Sequence, residues 1–230
     1  MTPDFSGSLV DQAVRRVRDH IRTADLKVGD TLPGEGQFAS DLGVSRAVMR
    51  EAFGALAALR VIDVGNGRKA RVGAIDGSVM AASIDHAVAT AQITTSDVWD
   101  VRRTLELRTA ALAAEHRSDA DARLIVDHAA QMATSADDVD RLIRHDIAFH
   151  QAIARAGGNA LFHQIVRSFE QLMRVAVPTA WQTRETPEQR DTVFAVHRNL
   201  AAAIADRDAA AAATLMDAHF DRAISDIFVR

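Results

Sequence analysis

From residue 79 to residue 156 the chain contains neither glycine nor proline. A stretch this long that lacks both and is rich in Ala, Leu and Arg favours helix, because the two residues that most often punctuate backbone structure are missing. Several glycines fall instead between Gly29 and Gly77. The shift predicts two domains: a head over residues 1–73, a linker over 74–79 and an all-helical body over 80–230. The expected fold class is mainly α, with a small α+β head followed by a helical bundle.

Composition narrows the function classes. The apolar fraction is 48%, enough to build cores, and no apolar run approaches the roughly 18 residues that span a bilayer. Asp4, Ser6 and Gly7 interrupt any secretory pattern at the N-terminus. Cysteine is absent, which excludes disulfide and thiolate chemistry and fits a cytoplasmic protein. The net charge of -4 hides a split. Residues 1–73 carry 11 Lys+Arg against 9 Asp+Glu, and the remainder carries 16 against 22. A mildly basic head on an acidic body permits phosphate contact by the head alone.

In the head, Ser8 is an N-cap for a helix over 9–23, with Val10, Val14, Val17 and Ile21 on one face. Residues 26–33 read as a loop, and a short helix follows over 35–41. Next come a turn at Leu42-Gly43-Val44 and a second N-cap, Ser45, opening a helix over 46–59. Two β runs, 61–64 and 69–72, flank the turn Gly65-Asn66-Gly67 and predict a hairpin. Further helices are expected over 80–92, 96–117, 119–133, 136–156, 159–178, 187–206 and 208–228, with Gly157-Gly158-Asn159 as a stop-and-restart signal.

Helix, glycine turn, helix and hairpin is the layout of a winged helix-turn-helix. Such a recognition helix presents its first turns to base edges in the major groove, the place that Ser45, Arg46 and Arg50 occupy. Arginine bonds guanine bidentately, and residues four apart share a helix face, so one of Arg46 and Arg50 can read a base while the other holds phosphate. Gly67, Arg68 and Lys69 at the hairpin tip suit a wing lying along the backbone or minor groove. Charge alone fits ordinary solvated arginines equally well.

The text Leu32-Pro-Gly-Glu35, Leu42-Gly-Val-Ser-Arg46 and Val48-Met-Arg-Glu-Ala52 resembles the N-terminal signature of the GntR family of bacterial regulators, over about residues 9–73. Two positions depart from that signature. Gly36 stands where the family usually has a DNA-contacting arginine, and Arg60 stands where it usually has glycine. In the body, Arg102-Arg-Thr-Leu-Glu106, Ala113-Ala114, Asp146-Ile-Ala-Phe-His150, Gly158-Asn159, His197 and His219 resemble the FCD effector domain of the FadR subfamily, over about 78–228.

That resemblance implies a helical pocket for a small molecule and a divalent metal held by Asp146, His150, His197 and His219. Zinc is the first expectation, and nickel or manganese also fit the ligand types. Asp146 and His150, four apart, project from one helix face. His197 and His219 fall in two successive helices. Taken singly, each histidine reads as a packed or surface side chain, and His145, about 100° round the helix from Asp146, is excluded. Arg102 and Glu106 by spacing alone could form a surface ion pair. The resemblance instead turns Arg102 to the pocket, where a guanidinium suits a carboxylate. Arg174, Asn199 and Trp181 are further pocket candidates.

The sequence therefore predicts a metabolite-responsive regulator, a repressor, that binds palindromic operator duplex DNA as a homodimer. A carboxylate or sugar-acid effector would bind near the metal, and no membrane partner is expected. Two alternatives remain open at this stage. One is a metal-dependent enzyme acting on a small hydroxy acid with an accessory DNA-binding head, although no separate general base accompanies the quartet. The other is a structural nucleoid protein, which binds without sequence preference.

Overall fold

The computed structural model describes residues 7–65 and 67–228, with side chains described through residue 222. Asn66, expected at the hairpin turn, lies outside the described residues. Eleven helices and two short strands form among the described residues. The chain divides into two compact units between Val79 and Met80.

In the first unit, local signals set the element boundaries. Ser8 and Asp11 cap each other reciprocally and open α1, Leu9–Thr23. The next helix, α2, Glu35–Leu42, stops at Gly43, whose left-handed φ of 67° a side chain would disfavour. Ser45 then accepts from the Val48 N–H and starts α3, Arg46–Ala58. Strand β1, Ile62–Asp63, pairs antiparallel with β2, Arg71–Val72, so the hairpin is shorter than expected. The expected loop contributes to this sheet as well. Thr31 forms a bridge to Arg71, and the Leu32 N–H donates to the Ala70 carbonyl at 2.8 Å. Leu32 is fully buried with Val17, Phe38, Met49, Phe53, Leu56 and Ile62 in one core.

Both departures from the family signature have a local consequence. Arg60 takes a left-handed φ of 56°, the conformation that the usual glycine adopts without strain. A Cβ on Gly73 would overlap the Arg60 carbonyl oxygen, so the chain depends on glycine at 73 instead. At Gly36, a Cβ would lie 3.6 Å from the Arg46 guanidinium. The missing side chain at 36 leaves that surface to Arg46.

The second unit is a helical bundle. After α4, Ser78–Ala89, come α5, Thr95–His116, and α6, Asp119–Ala133. Then follow α7, Val139–Ala156; α8, Ala160–Ser168; α9, Glu170–Gln182; α10, Pro187–Ala205; and α11, Ala209–Phe228. The restart after α7 works as expected: Gly158 takes a φ of 76°, and Asn159 Oδ1 accepts from the Leu161 and Phe162 N–H groups.

The expected helix over 159–178 is broken in two. The Ser168 hydroxyl bonds back to the Ile165 carbonyl at 2.6 Å, and Phe169 turns into the core, where it is buried. Helix α9 also runs through Pro178 instead of ending there.

Helix α5 packs against α7, α10 and α11, and α6 packs against α7 and α10. Arg103 on α5 bonds Asp217 at 2.6 Å and Asp221 at 2.8 Å on α11. Ala212, Met216 and Phe220 of α11 are buried in the main core, on the same helix as His219.

Candidate DNA-reading helix and effector cavity

Ser45, the N-cap of α3, and Arg46 and Arg50 within it are all exposed. Arg50 leaves 78% of its side chain accessible and makes only a 3.7 Å contact with Glu35. Gly67, Arg68 and Lys69 are exposed beyond β1. The groups that would face a duplex are therefore solvated and weakly committed to the protein itself.

In the bundle, Asp146 and His150 on α7 meet His197 on α10 and His219 on α11. The imidazole centroids lie 4.7 Å apart for His197 and His219, 5.0 Å for His150 and His219, and 6.2 Å for His150 and His197. One nitrogen from each ring lies within 4.8 Å of the others. Asp146 borders this trio, with Oδ1 3.3 Å from His197 Nε2. Phe149 holds His197 and His150 edge-on at 5.2 and 5.5 Å.

The hydrogen bonds around the rings decide what the cluster can hold. His197 Nδ1 lies 2.8 Å from the Val193 carbonyl, which can only accept, so Nδ1 carries the hydrogen. In neutral His197 the Nε2 lone pair then faces the Asp146 carboxylate, and this buried nitrogen has no hydrogen-bond partner. A divalent cation between the two acceptors, or a proton on Nε2, reconciles them.

His150 Nδ1 sits 2.5 Å from Glu106 Oε2, an arrangement in which Nδ1 faces the carboxylate and Nε2 is left to the cluster. Neither of these two buried atoms has another hydrogen-bond partner. Three imidazoles and a carboxylate are the donor types that divalent zinc, nickel or manganese accepts, so the residues present fit such an ion.

The charges are consistent with that fit. Burial opposes ionisation of Asp146, but the polar contact with His197 and the fields of His150, His197 and His219 outweigh it and hold the carboxyl well below the usual range. Burial likewise opposes ionisation of Glu106, and Arg102 and His150 hold it low. His219 keeps some solvent access, yet burial, assisted by the charges of His197 and His150, pushes its imidazole well down. The neutral form is the one that ligates a metal.

The histidines form one wall of a cavity whose volume is about 60 Å³. Arg102 forms part of another wall and is only 3% exposed. The expectation that Arg102 and Glu106 could form a surface pair is corrected. The two are buried, with Arg102 Nε 2.7 Å from Glu106 Oε1. The far edge of the guanidinium meets the Met173 thioether, a weak acceptor. Its face lies 4.3 Å from the Trp99 ring centroid.

Two expected pocket residues lie elsewhere. Asn199 is exposed, because it sits two residues from His197 and therefore on a different face of α10. Arg174 points outward and pairs with Glu170 at 2.7 Å, while its neighbour Met173 lines the cavity. Trp181 does line it. Sequence reasoning missed Glu106 as the partner of His150, and missed Trp99. Their spacing held the signal, since Trp99, Arg102 and Glu106 fall at i, i+3 and i+7 on one face of α5.

This pairing of a winged helix-turn-helix with a histidine-lined helical bundle defines a class of ligand-responsive DNA-binding regulators. Residues 9–72 match the family of bacterial regulatory proteins called gntR, and residues 97–222 match the FCD domain. The chain belongs to the GntR family, in the group that carries an FCD domain.

Among relatives, it is 28% identical to the HTH-type transcriptional regulator LutR of Bacillus subtilis over 86% of this chain and 92% of that one. It is 30% identical to the Glc operon transcriptional activator of Escherichia coli over 79% of this chain and 74% of that one. It is 27% identical to the HTH-type transcriptional repressor NanR of Citrobacter rodentium over 93% and 83%. In fold it resembles Streptococcus agalactiae GntR, with a TM-score of 0.70, 23% identity and coverage of 93% of this chain and 97% of the other. The protein is thus a DNA-binding transcription regulator and not an enzyme. Among the described residues no helix is long and apolar enough to cross a membrane.

Proposed function

We propose that the protein is a cytoplasmic repressor that binds a palindromic operator as a homodimer and releases it when a small carboxylate enters the cavity of the body. Ser45, Arg46 and Arg50 read and position the major groove, and Gly67, Arg68 and Lys69 follow the backbone. Asp146, His150, His197 and His219 hold one divalent cation. Bound there, the ion supplies a fixed positive charge beside Arg102.

The observation that carries this reading is the state of Arg102. A buried guanidinium normally has its donors satisfied by acceptors. Here Glu106 takes only the Nε edge, and a thioether and two aromatic rings surround the rest. A ligand carboxylate supplies the bidentate acceptor that the site lacks. Two winged heads on one palindrome supply the contact area that a single head lacks.

The test is capture of genomic fragments by the purified protein, followed by release with carboxylates. Preferred fragments should be recovered over random duplex at fixed salt, and a carboxylate should lower the affinity. Arg102→Gln should leave DNA binding intact and blunt the release about tenfold or more, the worth of a charged hydrogen bond. Recovery without sequence preference would remove the operator reading, and an unchanged response in Arg102→Gln would remove the effector site.

A further inference from the structure

The hydrophobic core of the body is divided. A main cluster includes Trp99, Phe149, Met173 and Phe220, and a separate one consists of Met132, Leu142, Trp181 and Phe194. All four residues of the smaller cluster line the cavity, as do Trp99, Met173 and Phe220 from the larger. The cavity therefore has apolar walls drawn from both clusters, with the polar groups of Arg102, Asp146 and the three histidines also on its lining.

The polar inventory of the walls is short. Among the described residues, no Ser, Thr, Asn or Gln lines the cavity, and Asp146 is the one lining carboxylate, facing His197. Three arginines line it, Arg102, Arg184 and Arg222, and of these Arg102 is the buried one. Trp99, itself on the lining, also has a buried indole N–H that lacks an acceptor. Beyond a first hydroxyl beside the cation that the histidines hold, a ligand with a row of hydroxyls would bury the rest against apolar carbon without partners, which a site of this kind rejects.

We propose that the effector is a short monocarboxylate with an apolar tail, not a sugar acid: its carboxylate meets Arg102, and its hydrocarbon fills the gap between the two halves of the core. This inference rests on the reading of the cavity as an effector site, and narrows the ligand class that the sequence left open. The cavity volume of about 60 Å³ matches the room taken by a handful of ordered waters. That size calls for a short chain. A tail seated there completes one continuous apolar core, which links occupancy to the stiffness of the bundle.

The experiment is isothermal titration of the full-length protein, as purified, with acetate, propanoate, butanoate and pentanoate, set against glycolate, lactate and gluconate. Affinity should climb about fourfold per added methylene until the cavity is full, the factor expected for one buried CH₂. Gluconate should bind at least about tenfold more weakly than the best alkanoate, the penalty for burying unpaired hydroxyls. Leu142→Asn should flatten the climb, so that pentanoate gains little over acetate in that variant. Should that variant fail to fold, the wild-type series decides alone.

A flat series, or gluconate binding as tightly as the best alkanoate, would overturn the apolar-tail inference and leave the carboxylate site standing. No binding by any of the seven acids would overturn both.

Discussion

Glu106 places one carboxylate oxygen 2.5 Å from Nδ1 of His150. Its other oxygen lies 2.7 Å from Arg102 Nε, so one buried carboxylate touches both a candidate metal ligand and the candidate anion receptor. A carboxylate behind a ligating histidine fixes its tautomer and its aim, and loss of such a partner costs about 10–100-fold in metal affinity. Glu106→Gln should lower zinc affinity by that factor, measured by competition with a chelator. Equal affinity in the folded variant would show that His150 does not depend on Glu106.

On the head, Arg46 and Arg50 should act in different ways. Substitution of the residue that reads a base costs about 1–3 kcal/mol and relaxes preference at one operator position. Substitution of the phosphate holder weakens all sequences alike and reduces the salt slope by about one. Fluorescence anisotropy of Arg46→Ala and Arg50→Ala on operator and random duplex, across a salt series, separates the two roles. If neither variant changes operator affinity, α3 does not enter the groove.

A second histidine pair gives a pH dependence. His128 Nδ1 and His145 Nδ1 are 3.2 Å apart on α6 and α7. Burial, then the charges of His145 and Arg155, push His128 below its ordinary value of 6.5 against the opposing Asp127. Burial, then Arg141 and Arg144, lower His145, again against Asp127. The folded state therefore takes up protons here less readily than the unfolded state, and stability rises with pH through this window. The contribution is complete above about 6.5, the ordinary histidine value, and is lost as pH falls toward the depressed folded values. Urea unfolding from pH 5 to 8 should show this slope, and His128→Gln should reduce it. An unchanged slope in the variant would place the titrating groups elsewhere.

Gly73 tests the wing. A Cβ there meets the Arg60 carbonyl oxygen and the Ile62 nitrogen, both backbone and unable to swing aside. Gly73→Ala should destabilise the head by about 1–3 kcal/mol, the usual cost of overpacking. Loss of the head's unfolding transition at lower urea, with the body's transition unmoved, is the expected result. A tolerated alanine would mean that the segment joining α3 to β1 can shift.

What sequence alone determined is the part governed by neighbours in the chain. Ser8, Ser45 and Asn159 announce α1, α3 and α8, because a cap is a bond across two or three residues. Spacing put Asp146 and His150 on one face of α7, because helix geometry needs no partner to define a face. The resemblance then picked out His197 and His219, far apart in the chain but adjacent in the bundle.

Tertiary structure decided what depends on remote elements. The break at Phe169 comes from a core position competing with helix continuity, and residues 29–32 join the sheet because β2 offers them backbone partners. Nothing local separates a solvated Arg102–Glu106 pair from a buried one. Only the packing of α7 and α11 over α5 encloses that pair and brings His150 to Glu106. Asn199 and Arg174 fell outside the cavity for the same reason. Which face of a helix looks inward is settled by what packs on it, and that information lies many residues away.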